Sequence, residues 1–390
     1  MIDKLSAFSF PTQILFGAGS IRQLPDCLDE TSVSRPLLVT DPGLAMTEAF
    51  SRVKEVLDDA KRQYSIFSEV HPNPIDEDVT RAAAQLAIEE CDGVVGVGGG
   101  SALDVAKALT VIAAHQEPVE NYEAQFGGFE RITGPLVPII AVPTTAGTGS
   151  EVGRSAVISV PKLGRKVVVF SPLILPSRAI ADPELTIGLP PSFTAATGMD
   201  AFTHNLESYT STEFHPICDA IALGGLELVL EFLERATTDG NDIEARGYMM
   251  IAAMMGAMAF QKELGATHSL AHPLSTECGI HHGLANAVCL PAVMRFNAES
   301  EKAAKRYAKL ATLFDLDTQG IDDRNSALLA ADAVAALNSR IGIPSRLRDC
   351  GVPDEMLPTL AKKAFEDSCH QTNPRPCSEQ DLLALYEAGW

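Results

Sequence analysis

The pattern of apolar residues changes character near residue 190, and that change limits the folds open to the chain more than any single motif does. Before it, β-branched runs alternate with helical patterns: RPLLVTD (35–41), an amphipathic stretch near 44–61, YSIFSEV (64–70), DEDVTRAAAQLAIEE (76–90) and DGVVGVGGG (92–100). Such alternation predicts a parallel sheet covered by helices. PLVPIIAVPTT (135–145) adds a buried strand, and RKVVVFS (165–171) reads as part of a hairpin near the domain edge. Beyond residue 190 apolar residues recur at helical spacing, in ICDAIALGGLELVLEFLERA and ARGYMMIAAMMGAMAFQKELG, and strand patterns stop. With 390 residues there is chain enough for two cores. The expectation is an α/β domain over residues 1–187 and an all-helical domain over 188–390, parted within ELTIGLPPS (184–192).

Composition narrows the partners. A hydrophobic content of 46% with 21% charged residues describes an ordinary globular protein, and the net charge of −21 disfavours nucleic acid and anionic membrane surfaces. MIDKLSAFSF lacks the basic start and long apolar run of a signal peptide, and the longest apolar stretches, such as MMIAAMMGAMAF, are too short to span a bilayer. Eight cysteines (27, 91, 218, 278, 289, 350, 369, 377) form no CxxC pair, so neither a disulfide framework nor a cysteine zinc site is indicated. A soluble cytoplasmic protein with reduced thiols is expected.

The histidines are unevenly placed: of nine, six fall between residues 204 and 282. Asp200 and His204 stand at i and i+4 in TAATGMDAFTHNLES, so a helix there projects both from one face. His268 and His272 repeat that spacing in LGATHSLAHPL, where Pro273 is expected to end the helix, and His282 follows in the loop HHG. Asp200, His204, His268 and His282 are spaced like the ligands of one divalent ion. A carboxylate with three imidazoles suits Fe²⁺ or Zn²⁺ rather than Ca²⁺ or Mg²⁺.

Two glycine segments each follow a strand pattern. GVGGGSALDVAK (96–107) places Gly98, Gly99, Gly100 and Ser101 at a helix N-terminus, where free N–H groups and absent side chains suit a pyrophosphate. Asp104, in the first turn, would repel phosphate unless it turns toward a sugar or another donor. The spacing is not G-x-G-x-x-G, and alone the segment is equally a tight strand-to-helix turn. PTTAGTGSEV (143–152) repeats the context, and two such loops at carboxyl ends of parallel strands favour a dinucleotide. Asp41, ending LLVTD, is placed either to accept from an adenosine ribose or to cap the turn at Pro42-Gly43.

Taken in order, GGGSALDVAK, PTTAGTGSEV, TGMDAFTHNLES and HSLAHPLSTECGIHHGLANAVCLP resemble the iron-containing alcohol dehydrogenase family, nearly end to end from FGAGSI (16–21) to NPRP (373–376). The resemblance implies a dehydroquinate synthase-like fold, with an N-terminal dinucleotide-binding domain, a helical metal-binding catalytic domain, and reaction in the cleft between them. It implies NAD and Fe²⁺ or Zn²⁺ as cofactors, Asp200, His204, His268 and His282 as metal ligands, and His272 as a neighbouring proton-relay residue. The glycine loop matches the pyrophosphate site, Thr144, Thr145 and Ser150 match positions around the nicotinamide half, Asp41 matches the acidic position associated with NAD, and Lys166 falls near the cofactor. Where the family often has proline before the last metal histidine this chain has His281, and the match favours His282 because it directly precedes Gly283.

TTDGNDIEARGYMM, MAFQKELG and CHQTNPRP resemble members acting on four-carbon ω-hydroxy acids such as 4-hydroxybutyrate. The implied reaction is reversible hydride transfer between a short primary alcohol or ω-hydroxy acid and NAD. The metal would stabilise the alkoxide, and a homodimer or higher homo-oligomer is expected. Phe260, Leu264 and Leu270 are expected as apolar walls. Lys262 is the nearest cation for a distal carboxylate, although helical rotation would turn it to the surface, and Gln261 is the neutral alternative. A dehydroquinate synthase-like lyase on the same scaffold would need several cations near the metal, and residues 262–295 offer only Lys262 and Arg295. A non-catalytic nucleotide- and metal-binding sensor would have lost a ligand or His272.

Overall fold

The structure is a computed structural model that describes Phe10 and residues 12–390. The reading of MIDKLSAFSF falls, Phe10 apart, outside the described residues. The chain forms two compact units, Phe10–Gly188 and Leu189–Trp390.

The first unit is built on strands β1 (Gln13–Phe16), β2 (Pro36–Val39), β3 (Ser65–Phe67), β4 (Gly93–Gly98), β5 (Ile139–Pro143), β6 (Ser155–Val160), β7 (Arg165–Phe170) and β8 (Arg178–Ala181). Six of them make one sheet in the order β1-β8-β5-β4-β2-β3, with every pairing parallel. The other two form the antiparallel hairpin expected around RKVVVFS. Helices α1 (Leu24–Glu30), α2 (Glu48–Asp59), α3 (Asp76–Ile88) and α4 (Gly100–His115) cover the sheet. Alternation sorts the core: Leu37, Val39 and Val94 pack with α3 and α4 on one face, while Leu38, Val95 and Val97 pack with α1 and α2 on the other. The chain therefore leaves β2 and β4, which are neighbours, toward opposite faces. Such a reversal opens a crevice beyond the strands' carboxyl ends, where Asp41 and the glycines follow. Strand β5 is shorter than the sequence suggested because Pro138, lacking an N–H, immediately precedes it.

Among its described residues the second unit contains no strand. It consists of α5 (Pro191–Thr210), α6 (Pro216–Thr238), α7 (Ile243–Ala259), α8 (Ala266–Cys278), α9 (His282–Asn297), α10 (Glu301–Leu313), α11 (Asp323–Arg340), α12 (Leu357–Glu366) and α13 (Glu379–Gly389), with short 3₁₀ turns between them. Two local expectations fail here. Pro273 does not end α8, which runs on to Cys278. The proline forfeits one backbone bond, but Leu270, Ala271, Leu274 and Ser275 are buried on either side of it, and packing holds the helix together. Termination comes instead at Gly279, in the left-handed conformation with its N–H returned to the Leu274 carbonyl. His282 is not in a loop; it is the first residue of α9, with His281 preceding it as the cap. No helix among the described residues is long and apolar enough to cross a membrane.

Candidate metal centre

Helix α5 presents Asp200, His204 and Glu207 at i, i+4 and i+7, along one face of a helix buried over most of its length. His268 comes from α8 and His282 from the start of α9. Their imidazoles converge on one carboxylate oxygen: Asp200 Oδ1 lies 3.9 Å from His204 Nε2, 4.0 Å from His268 Nε2 and 3.6 Å from His282 Nε2. The His204 and His268 rings stack with centroids 4.8 Å apart. Asp200 and His268 are 2% and 1% exposed, so water cannot serve their lone pairs freely. The ligand atoms of Asp200, His204 and His268 all lie within 4.8 Å of one another, a spacing that could hold a metal ion, and His282 Nε2 stands 3.6 Å from the same Asp200 oxygen. Gly283 permits the approach of α9: a Cβ there would lie 2.2 Å from the Ala196 carbonyl oxygen and 3.1 Å from Asp200 Cβ.

Two carboxylates stand behind these imidazoles. Glu207 accepts the Nδ1–H of His268 at 2.7 Å, together with the backbone N–H groups of Gly265 (3.0 Å) and Thr267 (2.6 Å) at the start of α8. One side chain thus caps the helix and fixes the His268 tautomer with Nε2 turned inward. Burial alone would raise the Glu207 pKa, but His268 and Thr267 outweigh it and hold the carboxyl below its ordinary range. For His268 burial opposes the charge, yet the Glu207 hydrogen bond raises its pKa. His272, stacked on His282 with centroids 5.3 Å apart, donates Nδ1–H to Asp367 at 2.8 Å. Asp367 also accepts from Ser269 Oγ and Cys369 N, each at 2.9 Å. Despite burial, these partners keep its carboxyl far below the usual value.

Asn286, on α9, places its side-chain nitrogen 2.8 Å from Asp200 Oδ1. Glu207, Asp367 and Asn286 were not read from the sequence, although i,i+3 from His204 marks the first and i,i+4 from His282 the last. Asp367, 95 residues from His272, carried no local signal.

The substrate-side expectations need revision. Phe260 does approach the centre, its ring 5.3 Å from that of His204. Leu270 is buried in the core of the unit. Lys262 is not a surface lysine and shares no continuous helix with His268, because α7 ends at Ala259 and Glu263 turns the chain with φ 71°. Its Nζ is buried, donating to Asp219 Oδ1 at 2.7 Å and to the Tyr209 carbonyl at 3.1 Å, with Arg306 on the same carboxylate. Gln261 donates Nε2–H to the Met258 carbonyl at 3.0 Å.

In the other unit the two glycine segments meet. A Cβ on Gly99 would sit 3.2 Å from Thr145 Oγ1, and one on Gly100 only 2.6 Å from Thr148 Cγ2. Gly98 has φ +149°, and its absent Cβ faces Asp41 Oδ2 at 4.0 Å. Asp41 Oδ1 meanwhile accepts from Leu44 N at 2.9 Å, so one oxygen caps a turn and the other faces the glycines. Several side chains point inward. Asp104 accepts from Ser150 Oγ (2.6 Å) and Val157 N (2.9 Å), satisfying the condition that it turn to another donor. Buried Lys107 donates to Ser150 Oγ at 2.6 Å. Burial pushes the Asp104 pKa up and the Lys107 pKa down, each opposed by the other's charge. Ser101 Oγ donates to the Pro72 carbonyl at 2.6 Å. Thr144 N donates to the Gly98 carbonyl at 3.0 Å. Lys166 lies on β7, where its charge reaches Asp104.

Comparison with known proteins identifies the family. Residues 11–183 match the model of iron-containing alcohol dehydrogenase, and residues 194–390 that of the Fe-containing alcohol dehydrogenase family, C-terminal. The chain is 43% identical to 4-hydroxybutyrate dehydrogenase of Cupriavidus necator over 383 residues, covering 96% of this chain and 97% of that one. It is 35% identical to NAD-dependent methanol dehydrogenase of Bacillus methanolicus, covering 98% and 99%. A crystal structure of 1,3-propanediol oxidoreductase superposes with a TM-score of 0.94 at 36% identity, covering 99% of this chain and 100% of the other. With both family models matched across a parallel-sheet unit and a helical unit that gathers one carboxylate and three imidazoles, the chain belongs to the iron-containing alcohol dehydrogenase family.

Proposed function

We propose that this protein reversibly oxidises a short primary alcohol or ω-hydroxy acid, of the size of 4-hydroxybutyrate, to the aldehyde with NAD. Residues 1–187 would bind the dinucleotide and residues 188–390 would hold the metal and carry catalysis. The observation that carries the reading is the convergence of three imidazole nitrogens on Asp200 Oδ1 at 3.6–4.0 Å. Asp200, His204, His268 and His282 would hold Fe²⁺ or Zn²⁺, which when bound supplies a positive centre that polarises an alcohol or aldehyde oxygen. Glu207 keeps His268 Nε2 directed inward. His272, oriented by Asp367 through Nδ1, leaves Nε2 to take the proton released by an alcohol. Gly98, Gly99, Gly100 and Ser101 offer backbone to the pyrophosphate, and Asp41 offers Oδ2 to a ribose hydroxyl.

The lyase reading loses support from the two cations it needed. Lys262 is bound to Asp219, and Arg295 pairs with Asp332. The same burial removes Lys262 as the group that would meet a distal carboxylate. A steady-state comparison of 4-hydroxybutyrate, 1,3-propanediol and 1-butanol, each with NAD and NADP, tests the proposal. Activity with NAD on at least one of them, lost on chelation and restored by Fe²⁺ or Zn²⁺, is expected; metal-independent turnover would sink it. Equal or better kcat/KM for butanol than for 4-hydroxybutyrate would remove the ω-hydroxy acid.

A further inference from the structure

Asn286 sits one turn beyond His282 on α9 and is fully buried. Its amide nitrogen meets three atoms of the centre: Nδ2 lies 2.8 Å from Asp200 Oδ1, 3.3 Å from His268 Nε2 and 3.2 Å from His282 Nε2. An amide nitrogen has two hydrogens, so three acceptors compete for them. The other end of the amide is in the opposite condition, for Asn286 Oδ1 is buried without a hydrogen-bond partner. Burying an amide oxygen unpaired costs about 1–3 kcal/mol. The pull on the nitrogen must outweigh that cost, because reversing the amide would bring its oxygen against a carboxylate oxygen and two imidazole lone pairs. The carboxylate is both the charged acceptor and the shortest contact, and charge-assisted hydrogen bonds are about twice as strong as neutral ones.

We propose that Asn286 is a positioning residue of the metal centre, whose side-chain N–H donates to Asp200 Oδ1 and fixes the carboxylate in the orientation that receives the ion. The inference rests on the reading of Asp200, His204, His268 and His282 as one metal site. His204, His268 and His282 would offer their imidazole lone pairs to an ion, which would leave Asp200 as the acceptor the amide retains. The hydrogen bond restrains rotation of the carboxylate and also explains why a polar residue with an unsatisfied oxygen occupies a fully buried position.

The test measures metal affinity rather than turnover. Wild type, Asn286→Leu and Asn286→Ala are stripped with a chelator. Co²⁺ and Zn²⁺ affinities then follow from competition with a chromophoric chelator, together with the visible spectrum of the Co²⁺ forms. Loss of an orienting partner weakens metal binding by about 10–100-fold. Both variants should lose that much and shift the Co²⁺ bands, even though leucine restores the volume alanine removes. A leucine variant that binds within about twofold of wild type, the alanine variant alone being weak, would assign Asn286 to packing and overturn the inference. If Asn286→Leu fails to fold, an alanine variant with wild-type affinity overturns it equally. Wild type that binds no ion at all would instead overturn the reading of the centre itself.

Discussion

The glycine segments and the candidate metal centre are built in opposite ways. At the carboxyl ends of β2, β4 and β5 the side chains turn inward: Ser101 to the Pro72 carbonyl, Ser150 to Asp104, and Asp104 also to Val157 N. The missing glycine Cβ atoms let the two segments approach closely, Gly99 against Thr145 and Gly100 against Thr148. Around Asp200 the helices turn side chains toward each other, lone pair facing lone pair, with Glu207 and Asp367 behind them. On the proposed function, the first region would work through atoms it lacks and the second through atoms that need a partner. Adding atoms should therefore damage the first, and deleting atoms or charge the second.

The largest effect should come from deleting a ligand. His282→Ala is expected to lose the ion and to lower kcat/KM by about 10³-fold or more, since the ion's charge stabilisation is worth several kcal/mol. His281→Ala, one residue away, should keep both. Metal analysis showing the reverse pattern would move the centre by one residue.

Next in size is a buried charge in the glycine region. Glu151, following Ser150 and 2% exposed, has its carboxyl pushed up to about 7 by burial, against its own backbone hydrogen bond and the charge of Lys107. A folded-state value raised above the ordinary 4.5 contributes stability that is full below 4.5 and lost as pH rises through 7. Glu151→Gln stays neutral, so its stability relative to wild type should improve between pH 5 and pH 8, by up to about 3 kcal/mol. Urea unfolding at the two pH values measures this. An unchanged difference would mean the carboxylate is better paired than its surroundings suggest.

Glu207→Gln probes support from behind the centre. It keeps the shape but weakens acceptance from His268 Nδ1–H, and metal affinity should fall by about 10–100-fold with cofactor binding unchanged. Wild-type affinity in a chelator competition would reduce Glu207 to a helix cap. Smallest is Gly100→Ala, whose new Cβ would lie 2.6 Å from Thr148 Cγ2. The dissociation constant for NADH, read by fluorescence titration, should rise by about tenfold, or about 1.4 kcal/mol, while metal content stays the same. Loss of metal on that change would break the contrast between the two regions.

Much of the architecture was legible because it follows local periodicity. Alternation placed β2, β3, β4 and β5 of the parallel sheet and the hairpin, though not β1 or β8, and 3.6-residue spacing marked the helical part beyond residue 190. The i,i+4 pair Asp200 and His204 could be read on one face for the same reason. Expectations failed where a local rule met tertiary packing. Pro273 should end a helix, yet its buried flanks carry α8 to Cys278. Lys262 should reach solvent, yet Asp219 and the Tyr209 carbonyl hold it inside.

The sequence by itself determined which residue types stand at which turn of which element, because neighbours a few positions apart are fixed by helix and strand geometry. It therefore specified a parallel-sheet part followed by a helical part, the glycine loops and the run of histidines. Only the tertiary structure decided that Asp367 orients His272, that Glu207 both caps α8 and sets His268, and that Asn286 reaches Asp200. Those pairings join residues 61 to 95 positions apart, and no local periodicity encodes them. They exist because close packing of α5, α8, α9 and the end of α12 leaves each buried polar group only a few partners within reach.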